Sequence, residues 1–182
     1  ETAFGFSPST VWRYHKVDDP AQRREVLDKY FRSLGEHRIS PYNPAPMDGW
    51  TVDWKGLDAK TGKLDAGKTI TDVEPVFKWG AWDAAMKRAF DTYHFNSFVM
   101  RVEGLGGGTF HERYEPRFLG YPGGSPEYDI LMGKYLKGIE DHLREKGWLE
   151  KAYVYWFDEP DPKDYAFVMN GFATLKKHAP GL

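Results

Sequence analysis

Two acidic residues, Asp158 and Glu159, stand side by side at the end of the apolar run AYVYWF, residues 152–157. Neighbouring carboxylates repel each other, so such a pair favours one protonated and one ionised group. Glycoside hydrolysis uses this inequality, because a protonated acid serves the leaving oxygen and an anion stabilises positive charge. A simpler interpretation is that one of the acids only stabilises the amino end of the following helix. The pair alone leaves both interpretations open.

The run before the acids is one of four strand-like segments that alternate with four helical segments. Apolar residues repeat with a helical period in residues 26–34, 82–93, 128–143 and 165–175. Three of these helices are predicted to begin at a capping residue followed by proline, at Asp19-Pro20, Ser125-Pro126 and Asp161-Pro162. The strand-like segments are residues 2–6, 38–42, 97–102 and 152–157. Their mostly apolar character is typical of parallel strands that are covered on both faces.

This alternation predicts an α/β fold with a parallel sheet and right-handed crossovers. Two architectures fit, a (β/α)₈ barrel of the TIM-barrel type and a complete small sheet of the flavodoxin type, and periodicity does not separate them. A full barrel typically takes about 250 residues, whereas this chain has 182 and stops just after its fourth helix. We therefore expect residues 1–182 to be the N-terminal half of a barrel domain, covering its first four βα units.

Two long connections follow strands and would therefore lie at the carboxyl edge, where α/β folds build their sites. They are insertions at about residues 43–80, with a hairpin-like turn at 60–62, and about 103–125, which is rich in glycine. Seven aromatic residues in or beside the connections could form the flat faces that bind sugars, or could belong to the core: Trp12, Tyr14, Tyr42, Trp50, Trp54, Phe110 and Tyr114. The candidate substrate-binding residues are Trp12, Tyr42, Asn43, Glu103 and Tyr114. Asn43 could equally only set an Asn-Pro turn.

Composition argues against several other functions. The 25 Lys and Arg residues nearly balance the 27 Asp and Glu residues, so we expect no binding to nucleic acid. No segment approaches the roughly 20 apolar residues that span a bilayer. Cysteine is absent and the histidines lack the spacing of metal ligands, so we expect no metal and no cofactor. A signal peptide, if one exists, would lie upstream of the first residue.

Three segments resemble the catalytic domain of glycoside hydrolase family 123. They are EHRISPYNP at residues 36–44, SFVMRV at 97–102 and AYVYWFDEP at 152–160, and the likeness spans most of the chain. This family comprises β-N-acetylgalactosaminidases and many uncharacterised bacterial relatives. The resemblance implies a (β/α)₈ barrel, an oligosaccharide or glycoconjugate substrate, and an extracellular or periplasmic location.

The resemblance also implies a retaining, substrate-assisted mechanism, in which the 2-acetamido oxygen of the sugar attacks its own anomeric carbon. Glu159 would be the general acid and later the general base, and Asp158 would hold the acetamido N–H group. An ordinary retaining glycosidase would instead hold a second carboxylate roughly 5 Å away on another strand. Two other functions stay open: an inactive carbohydrate-binding or scaffold domain of the same fold, and unrelated α/β chemistry in which the acids only cap a helix.

Overall fold

The computed structural model describes residues 2–109 and 111–182, which form two compact units. The first unit contains the residues up to 51 together with 79–99, and the second contains residues 52–78 and 100–182. The helices are α1 (Pro8–His15), α2 (Pro20–Glu36), α3 (Gly80–Thr92), α4 (Pro126–Lys146) and α5 (Tyr165–His178). The strands are β1 (Thr2–Phe4), β2 (Ile39–Pro41), β3 (Thr51–Lys55), β4 (Glu74–Lys78), β5 (Phe98–Val99), β6 (Gly107–Gly108), β7 (Arg113–Tyr114), β8 (Arg117–Phe118), β9 (Tyr121–Pro122) and β10 (Ala152–Tyr153).

The helix starts follow the capping signals in the sequence, with one exception. The side chain of Asp19 accepts a hydrogen bond from the Gln22 amide at 3.0 Å, and Ser125 caps α4 in the same way, so both predicted starts are confirmed. The third was wrong in part, because Asp161-Pro162 opens a 3₁₀ turn, Pro162–Asp164, and α5 begins only at Tyr165. A further start at Ser7-Pro8 opens α1, which periodicity did not reveal.

In the first unit, β1 and β2 pair in parallel, as the alternation of elements predicted. Thr2 lies opposite Ile39 and Phe4 opposite Pro41. Tyr42 continues this arrangement, because its N–H donates to the Phe4 carbonyl and its own carbonyl accepts from the Val99 N–H, both at 2.9 Å. The core beside these strands consists of buried residues from α2, α3 and the segment that follows α3: Leu27, Phe31, Ala89, Tyr93 and Phe95.

In the second unit, α4 supplies most of the core. One face of this helix is almost completely buried, through Leu131, Met132, Tyr135, Leu136, Ile139 and Leu143. Fully burying each such aliphatic side chain contributes about 1.5–3 kcal/mol. Helix α4 packs against α5 and β4, and the Met100 N–H donates to the Tyr153 carbonyl at 2.8 Å. Among the described residues, none of the helices combines the length and apolar character needed to cross a membrane.

Two polar clusters attach neighbouring elements to α4. Lys134 donates to the backbone carbonyls of residues 71 and 73, both at 2.8 Å, and to the Glu74 carboxylate at 2.6 Å. Asp129 in the first turn of α4 accepts from Lys177 at 2.6 Å and contacts His178 at 3.0 Å, which links α4 to the end of α5. The first cluster fixes the insertion that carries β4, and the second fixes the last helix.

Both long connections are ordered by short antiparallel pairings. In the first, Asp58 accepts from the amides of Lys60 and Thr61, and Leu57 bridges Leu64, so the hairpin-like turn predicted at residues 60–62 is confirmed. The glycine-rich connection contains two hairpins, one formed by β6 with β7 and the other by β8 with β9. It therefore forms strand pairs instead of an irregular loop, and the β8–β9 pair contacts α4.

Candidate active site

The acid segment, residues 157–164, carries Asp158 and Glu159 and is fixed through its backbone to the β6–β7 hairpin. Phe157 forms a parallel bridge with Gly108, and the Asp158 N–H donates to the Gly108 carbonyl at 3.1 Å. Phe157 is buried, whereas Asp158 and Glu159 are both exposed. The backbone before the turn is thus held by Gly108, while the two adjacent acids remain exposed.

Asp158 is oriented by a residue of its own segment. The hydroxyl group of Tyr155 donates a hydrogen bond to Oδ1 of Asp158. A carboxylate that already accepts one hydrogen bond loses less rotational freedom when it accepts another from a ligand. Asp158 therefore has one oxygen engaged by Tyr155 before any substrate binds.

The backbone of Glu159 adopts an unusual conformation. Its φ angle is +46°, in the left-handed region, where a non-glycine residue costs about 1–2 kcal/mol. The next residue is Pro160, and a proline normally holds the residue before it in an extended conformation. Such departures cluster at active sites, where the surrounding structure stabilises a strained but useful geometry. Five non-glycine residues among the described ones have a positive φ angle, and Glu159 is the one of them that is followed by proline.

The turn before α5 is capped by two other acids. The N–H group of Asp161 donates to Oδ2 of Asp164 at 3.3 Å, and Asp164 is only 2% exposed. In the described structure, Asp161 and Asp164 thus stabilise the start of the last helix, which is the role that the simpler interpretation gave to Asp158 or Glu159. The candidate catalytic acids lie three or more residues before the first residue of the 3₁₀ turn, Pro162.

Aromatic side chains pack beside the start of the acid segment. The Trp156 ring contacts Phe157, Phe167 and Phe172, with ring centroids 5.6–6.0 Å apart. Gly171 makes this packing possible, because a Cβ atom there would lie 2.2 Å from Cζ2 of Trp156. Within the described residues, the Trp156 indole nitrogen is buried without a hydrogen-bond partner. The side chain just before the acid segment is therefore held by ring contacts.

Two of the predicted substrate-binding residues belong to the same unit as the acids. Tyr114 lies on β7, is 60% exposed and donates to the Glu112 carboxylate at 3.0 Å, a hydrogen bond that raises the pKa of the Tyr114 phenol. Glu103 is exposed. Burial first, and then the nearby charge of Glu103, raise the pKa of Tyr135 in the core. Tyr114 thus lies on the β6–β7 hairpin, whose Gly108 is hydrogen-bonded to the Asp158 backbone.

The other three predicted residues belong to the first unit. Trp12 was predicted to lie in or beside a connection and lies within α1, where its indole donates to the Arg23 carbonyl at 3.2 Å and its ring stacks under the Arg23 guanidinium. Oδ1 of Asn43 accepts from the Ala45 amide at 3.0 Å, so this side chain stabilises the turn that follows β2. Tyr42 is 37% exposed. Phe110, another of the seven aromatic residues, lies outside the described residues.

Two residues of the site were missed by the sequence reasoning. The contact of Tyr155 with Asp158 could have been predicted, because the two residues are only three positions apart and the chain turns between them and the last helix. Gly108 carries none, because its contact with Asp158 joins positions 50 residues apart. Within residues 2–109 and 111–182, no group of three or more His, Asp or Glu side chains is placed to hold a metal ion.

The chain matches the model of a known protein family. The family model described as the catalytic domain of glycoside hydrolase 123 matches residues 47–182, which is well over half of the chain. The matched region contains the β6–β7 hairpin, the acid segment, α4 and α5. No curated protein matches the chain.

Proposed function

Because the chain belongs to glycoside hydrolase family 123, we propose that it removes a β-linked N-acetylhexosamine, with N-acetylgalactosamine as the expected sugar, from an oligosaccharide or glycoconjugate. One observation carries the proposal at the level of residues. Asp158 and Glu159 are exposed on a backbone that Gly108 fixes, while Asp161 and Asp164 cap the following turn. The carboxyl groups of Asp158 and Glu159 are therefore available for catalysis.

The proposed mechanism uses the substrate as its own nucleophile. The acetamido oxygen attacks the anomeric carbon, and the glycosidic oxygen leaves with a proton from Glu159, which gives an oxazolinium ion. Asp158 accepts a hydrogen bond from the acetamido N–H and stabilises the positive charge. Glu159, now a carboxylate, takes a proton from water as the water attacks the anomeric carbon, and the bond from that carbon to the acetamido oxygen breaks, which restores the acetamido group. Two displacements at one carbon return the original configuration, so the reaction is retaining.

Adjacency of the two acids fits this mechanism better than the ordinary retaining route. In that route the two carboxylates flank the scissile bond on opposite faces and are roughly 5 Å apart. In the assisted route both acids serve neighbouring atoms of one sugar, so consecutive residues on a turn are suitable. The hydrogen bond from Tyr155 to Asp158 supports the same assignment, because orienting a group beforehand reduces the entropy lost in reaching the reactive geometry.

The fold proposed for this domain is a (β/α)₈ barrel of which the chain covers the first four units, and the proposed location is extracellular or periplasmic. The parallel pairing of β1 with β2 supports the barrel, as do the helices that follow the strand segments. In such a fold the site lies at the carboxyl ends of the strands. Asp158 and Glu159 follow the last strand segment of the chain, β10.

The first experiment compares two aryl glycosides that differ only at carbon 2. We expect turnover of an aryl N-acetyl-β-galactosaminide and essentially none of the matching aryl β-galactoside, which lacks the acetamido nucleophile. Equal turnover of the two substrates would contradict the assisted mechanism. Binding of N-acetylgalactosamine without turnover of any of these substrates would instead identify an inactive carbohydrate-binding domain.

The second experiment assigns the role of Glu159. A Glu159→Gln variant should lose about 10²–10⁴-fold in kcat on a substrate with a poor, alkyl leaving group. The loss in the first chemical step should be much smaller with a dinitrophenyl leaving group, which departs without a proton. Glu150→Gln is the matched control, because Glu150 is an exposed glutamate of the same unit. Normal turnover of alkyl glycosides by the Glu159 variant would remove it from the mechanism.

A further inference from the structure

We propose that Arg113 is a positioning residue of the glycosidase site, which holds Asp158 in place through the β6–β7 hairpin. The part of this inference that concerns turnover rests on the proposed function. The part that concerns the backbone of Asp158 rests only on contacts within the second unit. The two parts have separate readouts.

The hairpin touches the acid segment through Gly108. The carbonyl of Gly108 accepts from the Asp158 N–H, and the same residue lies opposite Arg113 in the antiparallel pair. Its φ angle is +150°, and a Cβ atom there would lie 2.3 Å from the Glu112 carbonyl oxygen. A residue with a side chain would therefore force β6 away from the backbone of Glu112 and Arg113. This close approach explains why position 108 is a glycine.

Arg113 attaches the other strand of the hairpin to the start of α5. Its guanidinium carbon lies 5.0 Å from the centroid of the Phe167 ring, and Nη1 lies 3.8 Å from Oδ1 of Asp164. The Asp164 side chain is only 3% exposed, so its negative charge requires a nearby positive group. Arginine suits both contacts, because its planar guanidinium stacks on an aromatic face and carries a permanent charge.

The hairpin therefore holds the acid segment at two points. Gly108 on β6 binds its beginning at Asp158, and Arg113 on β7 binds its end at Asp164. Glu159 and its strained backbone lie between these points. Loss of the Arg113 contacts should let the hairpin separate from α5 and open the Asp158 hydrogen bond. In the proposed mechanism, displacement of Asp158 misaligns the acetamido group, which lowers kcat more than it changes KM.

The test compares Arg113→Gln with Arg117→Gln. Arg117 lies on the neighbouring strand β8 and donates to the Gly120 carbonyl within its own turn, so it is a matched control. We expect Arg113→Gln to speed amide exchange at Asp158 by about tenfold or more, because opening becomes easier when a local contact is lost. We expect kcat to fall about 10- to 100-fold with little change in KM. The Arg117 variant should match the unmodified protein in both measurements.

The conservative variant Arg113→Lys separates charge from geometry. Lysine keeps a positive charge for Asp164 but cannot stack its charged group flat on Phe167, so both effects should be intermediate. A variant that lowers kcat without faster exchange at Asp158 would mean that Arg113 acts on the substrate directly, which overturns the positioning role. Unchanged exchange together with unchanged kcat overturns it as well.

The exchange measurement also keeps this inference distinct from the proposed function. If the unmodified protein hydrolyses none of the test glycosides, the proposed function fails, yet faster exchange at Asp158 in Arg113→Gln still supports the positioning role and unchanged exchange still overturns it. If Arg113→Gln does not fold, Arg113→Lys and Arg113→Met provide the comparison, because they change the contacts with Phe167 and Asp164 without altering the aromatic packing. Normal exchange at Asp158 in both of these folded variants overturns the inference.

Discussion

Replacing Gly171 by alanine should destabilise the protein even though alanine favours helices. Gly171 lies inside α5 and is buried against Trp156. Alanine in place of glycine in a helix normally contributes about 1 kcal/mol of stability. Here the added Cβ atom would lie 2.2 Å from Cζ2 and 2.5 Å from Cη2 of the indole ring, far inside van der Waals contact.

The indole ring of Trp156 cannot move away from the added Cβ without losing other contacts. Phe157, Phe167 and Phe172 pack against the Trp156 ring. Overpacking of this type costs about 1–3 kcal/mol, and the severity of the overlap places Gly171→Ala near the upper end. Subtracting the helix propensity leaves a net loss of roughly 2 kcal/mol. For a chain of this length, that corresponds to a decrease in Tm of about 4–8 °C.

The assay is a double-mutant cycle measured by urea unfolding. Trp156→Phe removes the ring atoms that the added Cβ would strike, and it sacrifices no hydrogen bond within the described structure because the indole nitrogen has no partner there. The double variant should therefore be more stable than the sum of the two single changes indicates, with a coupling of about 1–2 kcal/mol. A Gly171→Ala protein as stable as the unmodified one, or an additive cycle, would refute the reasoning. Gly80→Ala is the control, because in the described structure no atom beyond its chain neighbours and its own helix backbone lies within 4 Å of the added Cβ.

Three further changes test other contacts. Lys134→Met removes three hydrogen bonds that fix the β4 insertion and should lower the free energy of unfolding by about 2 kcal/mol. The hydrogen bond from Lys177 lowers the pKa of Asp129, so its contribution to stability is present above the ordinary value of 3.8 and is lost as the pH falls through the lowered pKa. Asp129→Asn should therefore destabilise at neutral pH and progressively less in acid. Tyr155→Phe removes the hydroxyl that donates to Asp158 and should lower kcat roughly tenfold while changing stability by less than about 0.5 kcal/mol.

Each of these variants has a neighbour that serves as its control. Lys137→Met and Asp141→Asn alter an exposed ion pair on the same helix and should change the free energy of unfolding by less than about 1 kcal/mol. Tyr165→Phe, another exposed tyrosine of the same unit, should leave kcat unchanged. The assignments fail if the controls match their test variants, or if Asp129→Asn destabilises equally at all pH values.

The helices of this chain were predictable because their signals are local. Asp19-Pro20 and Ser125-Pro126 join a capping oxygen to a residue that needs no N–H partner, and both begin helices in the structure. Ser7-Pro8 carries the same signal, but α1 has only eight residues, too few for a clear apolar repeat. At Asp161 the sequence offers several acids in succession, and only packing decides that Asp164 is buried and completes the cap.

For the candidate site, the sequence predicted which residues could act as catalytic acids but not the contacts that position them. The acids Asp158 and Glu159 stand out by type and by their place after an apolar run. Their surroundings depend on contacts between distant positions, such as Gly108 with Asp158 and Arg113 with Asp164. Such contacts leave no mark in hydrophobic periodicity, because they use a backbone carbonyl and a partly exposed arginine.

The left-handed turn at Glu159 has a consequence for variation at this position. Glycine at this position would lower the conformational free energy of the backbone by about 1 kcal/mol, so selection for stability alone favours replacement of the glutamate. In the proposed mechanism, the carboxyl group of Glu159 is needed at this turn despite the cost of its backbone conformation. Related domains in which glycine or asparagine occupies the turn should therefore be more stable and catalytically silent, which turns one dihedral angle into a criterion for sorting active from inactive relatives.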